Sequence, residues 1–119
     1  MHILIIDDHP LYREVLSAHV QKIFSSAIVY EAASVEEAFA LMLYKQFDMI
    51  CLDLSLPDQS GLPAFLLLRE AVPEALIVVI SGLDDAALAQ TIIDHGANGY
   101  LSKSVTAHEI SNALTLIAA

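Results

Sequence analysis

Residues 2–10 of the chain, HILIIDDHP, join a continuous apolar run to two adjacent aspartates and a proline. An unbroken run rich in β-branched residues is typical of a strand that is covered on both faces, as in a parallel sheet. Pro10 suits the first turn of a helix, because that turn does not need the N–H that proline lacks. The segment therefore predicts a strand that leads through a short turn into a helix, with Asp7 and Asp8 at the turn.

The same strand-to-helix pattern recurs along the rest of the chain. Further apolar segments predict strands at residues 27–32, 48–54, 75–81 and 98–103. Capping boxes, in which a serine or threonine is followed three residues later by glutamate, predict helix starts at Ser34 and Thr106. The remaining helices are predicted after Pro10, from about 62 to 71, and from 84 to 96. Five strands and five helices thus alternate.

Alternating strands and helices with short connections predict a single α/β domain over residues 1–119. Continuous apolar strands that alternate with amphipathic helices predict one parallel sheet with helices on both faces, joined by right-handed crossovers. In such sheets, ligands bind beyond the carboxyl ends of the strands, where the strand order reverses. The polar residues that follow the strands are therefore the candidates for function.

The composition agrees with a well-packed domain. Of the 119 residues, 56% are hydrophobic and only 17% are charged, which excludes a disordered chain. The apolar runs are far shorter than the roughly 20 residues that cross a membrane, and no signal-peptide pattern is seen. We therefore expect a cytoplasmic domain without a membrane segment. Cys51, the only cysteine, has no partner for an internal disulfide and is expected to be a small buried residue.

The formal net charge is −10, from 15 acidic and 5 basic side chains. The basic residues are scattered rather than gathered into a stripe, and this distribution disfavours binding of nucleic acid by this domain. They are Arg13, Lys22, Lys45, Arg69 and Lys103. An acidic excess usually serves solubility, although a cation site could use a few of these carboxylates.

Five polar side chains follow the predicted strands and should share one edge of the sheet. They are Asp7, Asp8, Asp53, Ser81 and Lys103. Three carboxylates so close together repel each other unless a cation joins them. Oxygen ligands in a partly wet cleft suit Mg²⁺, or Mn²⁺ in its place. The alternative for the aspartate pair is a solvated helix cap, and a lysine or serine at a strand end is also ordinary when taken singly.

A metal ion, an ammonium and a hydroxyl around one carboxylate describe phosphoryl transfer to that carboxylate. Positioning and charge neutralisation supply most of the catalysis in such reactions. Asp53 is the candidate acceptor, because it ends an apolar strand, where an unpaired charge is costly. Lys103 offers a positive charge, and Ser81 a hydrogen-bond donor, for the oxygens of the transferred group.

Four segments together resemble the receiver domain of two-component response regulators. They are IIDDHPLYRE (residues 5–14), DLSLPDQSG (53–61), VVISG (78–82) and GANGYLSKS (96–104). The resemblance extends over nearly the whole chain and is greatest to the NarL/FixJ (LuxR-type) group. It implies a flavodoxin-like (βα)5 fold, a doubly wound parallel sheet with the strand order 2-1-3-4-5.

The resemblance also implies roles for individual residues. Asp53 resembles the phospho-acceptor, and Asp8 resembles a direct Mg²⁺ ligand, with Asp7 acting largely through water. The backbone carbonyl of Ser55 would complete the protein's share of the metal ligands. Phosphorylation by a sensor histidine kinase is implied, so that the domain acts as a signalling switch rather than as an enzyme.

Three further residues of the site match the same family. Lys103 resembles the phosphate-binding lysine. Ser81 and Tyr100 resemble a switch pair, in which the hydroxyl moves to the phosphoryl group and the aromatic ring turns inward. Ser104 stands where many receivers have proline, a departure that the NarL-like group often shares.

The NarL-like group implies an output domain outside this chain. Its members usually carry a C-terminal helix-turn-helix domain that binds DNA, so the expected role is control of a transcription regulator. A stand-alone receiver that acts through protein contacts, without DNA output, is the alternative. A homodimer is a candidate assembly.

Three other classes of protein fit the sequence less well. A haloacid-dehalogenase-like phosphatase needs its nucleophile in a spaced Asp-x-Asp pattern on the first strand, whereas Asp7 and Asp8 are adjacent. A flavodoxin needs a phosphate loop rich in serine, threonine or glycine where this chain has DDHPLY. A receiver that signals without phosphate typically lacks a key residue, and none is missing here.

The stretch FLLL places four bulky apolar side chains in the third predicted helix. Successive helical residues are about 100° apart, so the four cannot all face the sheet. We assign Leu62, Phe65 and Leu68 to the core. Leu66 and Leu67 are then expected on the outer surface, where they form a candidate contact patch.

Overall fold

Five parallel strands alternate with five helices along the chain in the computed structural model, which describes residues 1–119. The strands are β1 (His2–Ile6), β2 (Ile28–Ala32), β3 (Met49–Leu52), β4 (Leu76–Ser81) and β5 (Gly99–Ser102). The helices are α1 (Pro10–Ile23), α2 (Val35–Met42), α3 (Gly61–Ala71), α4 (Ala86–Asp94) and α5 (Ala107–Ala118). The strand order is β2-β1-β3-β4-β5, so the predicted fold class and topology are confirmed.

The two faces of the sheet carry two separate hydrophobic cores, because successive strand residues point to opposite faces. Leu4 and Ile6 of β1 belong to the core that α2, α3 and α4 cover. Ile3 and Ile5 belong to the core that α1 and α5 cover, and Cys51 is buried there as expected. The central strands β1, β3 and β4 are thus covered on both sides, which explains their continuous apolar sequences.

The helix starts follow the predicted capping signals. Ser34 and Thr106 each accept a hydrogen bond from the backbone N–H of the glutamate three residues later, over 3.0 and 3.1 Å. α4 begins at Ala86 rather than at Asp84, because Asp85 caps this helix through its side chain. None of the five helices is both long and apolar enough to span a membrane.

α3 has the orientation that the sequence predicts. Phe65 and Leu68 are fully buried, whereas Leu66 is 38% exposed and Leu67 is 39% exposed. Leu62 is partly buried against the same core as Phe65. The outward position of Leu66 and Leu67 is therefore confirmed, while their role as a contact patch stays a prediction.

Leu67→Ala and Leu68→Ala form a matched pair of variants on α3 that differ in burial. Truncating buried Leu68 leaves a cavity, and we expect the free energy of unfolding to fall by about 2–5 kcal/mol. Truncating Leu67 should change this free energy by less than about 1 kcal/mol. Urea denaturation measures the free energy of unfolding of both variants. Equal losses in Leu67→Ala and Leu68→Ala would contradict the orientation of α3 that buries Leu68 and exposes Leu67.

Candidate functional site

Backbone hydrogen bonds extend the sheet past the strand ends and hold three of the predicted site residues. The amides of Asp7, Asp53 and Lys103 donate to carbonyl oxygens of β2, β1 and β4 over 3.0, 2.9 and 2.9 Å. Each side chain therefore starts from a rigid position rather than from a mobile loop. The three residues share the carboxyl edge of the sheet, as the sequence predicts.

Two of the predicted carboxylates are buried and share one ammonium. The side chains of Asp7 and Asp53 are 3% and 1% exposed, and Asp8 is partly exposed. Lys103 Nζ lies 2.8 Å from Asp7 Oδ2 and 3.2 Å from Asp53 Oδ2. Because three carboxylates face one ammonium, the cluster keeps a negative formal charge and attracts a further cation.

His9 also lies in the site, which the sequence reasoning missed. Its Nδ1 is 2.9 Å from Asp7 Oδ1, 3.3 Å from Asp8 Oδ1 and 3.4 Å from Asp53 Oδ2. The same atom is 3.1 Å from Lys103 Nζ. The available signal was its position between the aspartate pair and a proline, since a residue that precedes proline is held in an extended conformation.

Tyr12 lies against the ammonium and was likewise not predicted as part of the site. Lys103 Nζ is 4.5 Å from the centre of the Tyr12 ring, within the range of a cation–π interaction. Burial, followed by the nearby Asp7 carboxylate, raises the pKa of Tyr12 to about 12, so the phenol is protonated at neutral pH. The ring therefore adds a neutral, polarisable surface on one side of the ammonium.

Ser81 and Tyr100 both contact the backbone of Leu83. Ser81 is fully buried, and its Oγ accepts a hydrogen bond from the Leu83 N–H over 3.1 Å. The Tyr100 hydroxyl donates to the Leu83 carbonyl over 3.1 Å. Partial burial raises the pKa of Tyr100, so this hydroxyl keeps its proton at neutral pH. The backbone of Leu83 is thus hydrogen-bonded to both Ser81 and Tyr100. The role of Ser81 and Tyr100 as a switch pair stays a prediction.

Asp7 and Asp8 do not cap helix α1. His9 is the N-cap residue of α1, and no side chain caps this helix. Asp7 Oδ1 instead accepts a hydrogen bond from the His9 N–H over 2.8 Å, outside the helix. The helix-cap interpretation is therefore not supported, and a cation site for the pair stays a prediction.

The arrangement of the carboxylates fits a divalent cation. Asp8 Oδ1 and Asp53 Oδ1 are buried and have no hydrogen-bond partner. Ligand atoms of Asp7, Asp8, His9 and Asp53 all lie within 4.8 Å of one another. Opposite ligands of an octahedral Mg²⁺ are about 4.2 Å apart, so the cluster has the dimensions of a metal site.

An open cleft of about 590 Å³ leads to Asp53. His9 and Lys103 line it, together with Ser55, whose carbonyl is predicted as a metal ligand. A Cβ atom added at Gly82, also in the wall of the cleft, would meet no atom within 4 Å. The cleft therefore leaves room for a group bound beside Asp53, and the ligand role of Ser55 stays a prediction.

Comparison with known proteins identifies relatives of the chain. The family model of the response regulator receiver domain matches residues 3–115. The nitrate/nitrite response regulator protein NarL of Escherichia coli (strain K12) is 33% identical over 117 residues, which cover 98% of this chain and 54% of NarL. Several other relatives are transcriptional regulators. The chain spans about half the length of the curated relatives it matches.

Solved structures also resemble the chain, and two of them illustrate the likeness in both fold and sequence. A two-component response regulator of the LuxR family from Aurantimonas sp. SI85-9A1 has a TM-score of 0.86 and 30% identity, covering 98% of this chain and 84% of that one. A response regulator from Burkholderia pseudomallei was solved with a phosphorylated aspartic acid, a calcium ion and citrate. It has a TM-score of 0.80 and 29% identity, covering 98% of this chain and 71% of that one.

Lys103→Met removes the ammonium that contacts both buried carboxylates. In a buffer that contains a chelator, the free energy of unfolding should fall by about 3 kcal/mol, because Asp7 and Asp53 stay buried without their shared cation. Lys45→Met, at an exposed lysine, should change it by less than about 0.5 kcal/mol. Urea denaturation measures both variants. A Lys103→Met variant as stable as the wild type would show that the fold tolerates the two buried carboxylates without the ammonium.

Proposed function

This chain belongs to the response regulator receiver domain family, and we propose that it is a signalling switch controlled by phosphorylation. In this proposal a sensor histidine kinase supplies a phosphoryl group to Asp53 in a Mg²⁺-dependent reaction, and the domain then changes its output surface. The proposal rests mainly on the environment of the Asp53 carboxylate. It is almost fully buried, lines the open cleft, and keeps Oδ1 without a hydrogen-bond partner.

The proposed transfer is a nucleophilic displacement at phosphorus. An oxygen of Asp53 forms the new P–O bond while the P–N bond to the kinase histidine breaks, and the electron pair leaves with the imidazole. Lys103 neutralises charge on the transferred group, because its ammonium is already 3.2 Å from Asp53 Oδ2. Ser81 Oγ acts as an acceptor toward Leu83, which leaves the hydroxyl hydrogen available for a phosphoryl oxygen.

The acidic pocket fits the Mg²⁺ that receiver domains bind. Asp8 and Asp53 are the proposed direct ligands, with the Ser55 carbonyl as a further protein oxygen and Asp7 acting largely through water. When bound, Mg²⁺ (or Mn²⁺ in its place) supplies positive charge that reduces repulsion between the carboxylates and the phosphoryl group. The two buried Oδ1 atoms without partners, those of Asp8 and Asp53, support this assignment.

Ser81 and Tyr100 form the proposed switch pair. A Ser81 hydroxyl that turns toward a phosphoryl group weakens its bond to the Leu83 N–H, and Tyr100 holds the carbonyl of that same residue. Displacement of Leu83 would free the Tyr100 ring to turn inward. The proposal thus connects the phosphorylated carboxylate with the segment that leads into α4.

Control of transcription is the proposed output. Relatives that are transcriptional regulators match the chain over about half of their own length, so we propose that this receiver controls a DNA-binding region of a longer, cytoplasmic protein. The net charge of −10 supports a domain that binds no nucleic acid itself. A stand-alone receiver is the alternative. In both cases Leu66 and Leu67 offer a surface for a homodimer or another protein partner.

Phosphorylation of Asp53 can be tested with a small phosphodonor such as phosphoramidate. After incubation with Mg²⁺, intact-mass measurement should show one added phosphoryl group on the wild type and none on Asp53→Asn, which keeps the shape but removes the nucleophilic charge. Asp94→Asn, at an exposed aspartate of α4, is the matched control and should be labelled like the wild type. Labelling of Asp53→Asn at the wild-type rate would contradict the proposal.

Mg²⁺ should stabilise the folded chain, because the unfolded chain has no assembled site. At about 100 times its dissociation constant the ion adds about 2.7 kcal/mol to the free energy of unfolding, and the thermal midpoint should rise accordingly. Asp8→Ala should show little of this rise, whereas Asp94→Ala should keep it. Equal rises in the wild type and Asp8→Ala would exclude Asp8 as a ligand.

A further inference from the structure

We propose that the imidazole Nδ1 of His9 is a direct ligand of the divalent cation held by Asp8 and Asp53, so that the site favours metals that accept nitrogen, such as Mn²⁺ and Co²⁺, over Mg²⁺. The inference rests on the proposed function, because it concerns the same cation site. It adds a nitrogen ligand to a set that otherwise consists of oxygen atoms, and this changes the metals that the site prefers.

The backbone of His9 is held from both sides. Its N–H donates to Asp7 Oδ1 over 2.8 Å, and its carbonyl accepts a hydrogen bond from the Arg13 N–H over 2.9 Å. Pro10, the next residue, favours an extended conformation for His9, in agreement with its φ of −88° and ψ of 101°. The imidazole therefore starts from a fixed position beside the carboxylates.

His9 Nδ1 contacts the Lys103 ammonium, and this contact indicates which of the two atoms donates the hydrogen. An ammonium has three hydrogens to donate and no lone pair to accept one. Lys103 Nζ lies 2.8 Å from Asp7 Oδ2, 3.1 Å from His9 Nδ1 and 3.2 Å from Asp53 Oδ2. In this contact the ammonium donates and Nδ1 accepts, so the imidazole offers its lone pair to a positive charge that lies beside Asp7 and Asp53.

The contacts between His9 and the carboxylates lead to the same conclusion. Nδ1 is 2.9 Å from Asp7 Oδ1 and 3.3 Å from Asp8 Oδ1, and such short distances need a positive centre, which is a proton on Nδ1, the Lys103 ammonium or a metal ion. With the Lys103 ammonium in place, and with a proton on Nδ1 as well, Asp8 Oδ1 and Asp53 Oδ1 still have no hydrogen-bond partner, although the Asp53 side chain is only 1% exposed. A divalent cation satisfies the imidazole and both oxygens together.

A nitrogen ligand alters the order of metal affinities. Mg²⁺ prefers oxygen ligands and retains water, whereas imidazole suits transition metals, whose affinity rises from Mn²⁺ to Co²⁺. His9 lines the open cleft and its side chain is exposed on one side, so a cation can enter past it. Loss of the imidazole should therefore weaken the binding of Co²⁺ far more than that of Mg²⁺.

Dissociation constants for Mg²⁺ alone and Co²⁺ alone, measured on chelator-treated protein, test the proposal. We expect the preference for Co²⁺ over Mg²⁺ to fall about 10- to 100-fold in His9→Ala. His95→Ala is the matched control, because His95 is exposed and lies at the C-terminal end of α4, away from the carboxyl edge. It should keep the wild-type preference. An unchanged preference in His9→Ala would overturn the proposal.

The nitrogen ligand can also be observed directly. Electron spin-echo measurements on the Mn²⁺-loaded wild type should show coupling to a histidine nitrogen, which ¹⁵N labelling of histidine changes. His9→Asn should lose this coupling, and it retains a residue type that is favoured at the N-cap of a helix. Circular dichroism checks that this variant folds. Mn²⁺ bound to the wild type without nitrogen coupling would overturn the role of His9.

Asp8→Ala separates the failure of this inference from the failure of the proposed function. If Asp8→Ala loses Mg²⁺ while His9→Ala keeps the preference for Co²⁺, the cation site is upheld and the role of His9 is wrong. If the wild type binds neither Mg²⁺ nor Co²⁺, the proposed Mg²⁺-dependent switch is wrong, and the inference about His9 is overturned with it.

Discussion

The register between β1 and β3 is the constraint on which the candidate site depends. Ile6 is paired with Leu52, so Asp7 and Asp53 follow at the same level on adjacent strands. Their side chains share a face, because successive residues of a strand point alternately to the two faces. A slip of one residue would send one carboxylate to the opposite face. The pairing of apolar residues therefore produces a cluster of charges that repel each other.

Burial of these carboxylates has to be compensated from elsewhere in the sheet. An ion without a partner costs several kcal/mol to bury, and Lys103 supplies positive charge to both Asp7 and Asp53. It does so from the end of β5, two strands beyond β3, a distance that requires a long, flexible side chain. His9 and Tyr12, from the start of α1, contact the same ammonium and enclose it.

The sequence predicts the strand-end residues because two simple rules locate them. Apolar runs end where polar residues begin, and parallel strands end at one edge of the sheet, so Asp7, Asp53 and Lys103 could be brought together without coordinates. His9 and Tyr12 could not be placed in the same way. Their contacts depend on the path of one turn and on side-chain rotamers, and neither hydrophobic periodicity nor spacing encodes these.

The helix with the fewest buried residues, α4, lies next to this site. Ile92 is the only fully buried residue of α4, whereas α3 buries three residues, and segments with few buried contacts open most easily. Leu83, which precedes α4, is held by the Ser81 hydroxyl on its N–H and by the Tyr100 hydroxyl on its carbonyl. Movement of Leu83 breaks these two hydrogen bonds, each of about 1 kcal/mol, and Leu83 is itself an exposed residue. We therefore expect Leu83 and the start of α4 to be the part of the carboxylate edge that moves at the lowest cost in free energy.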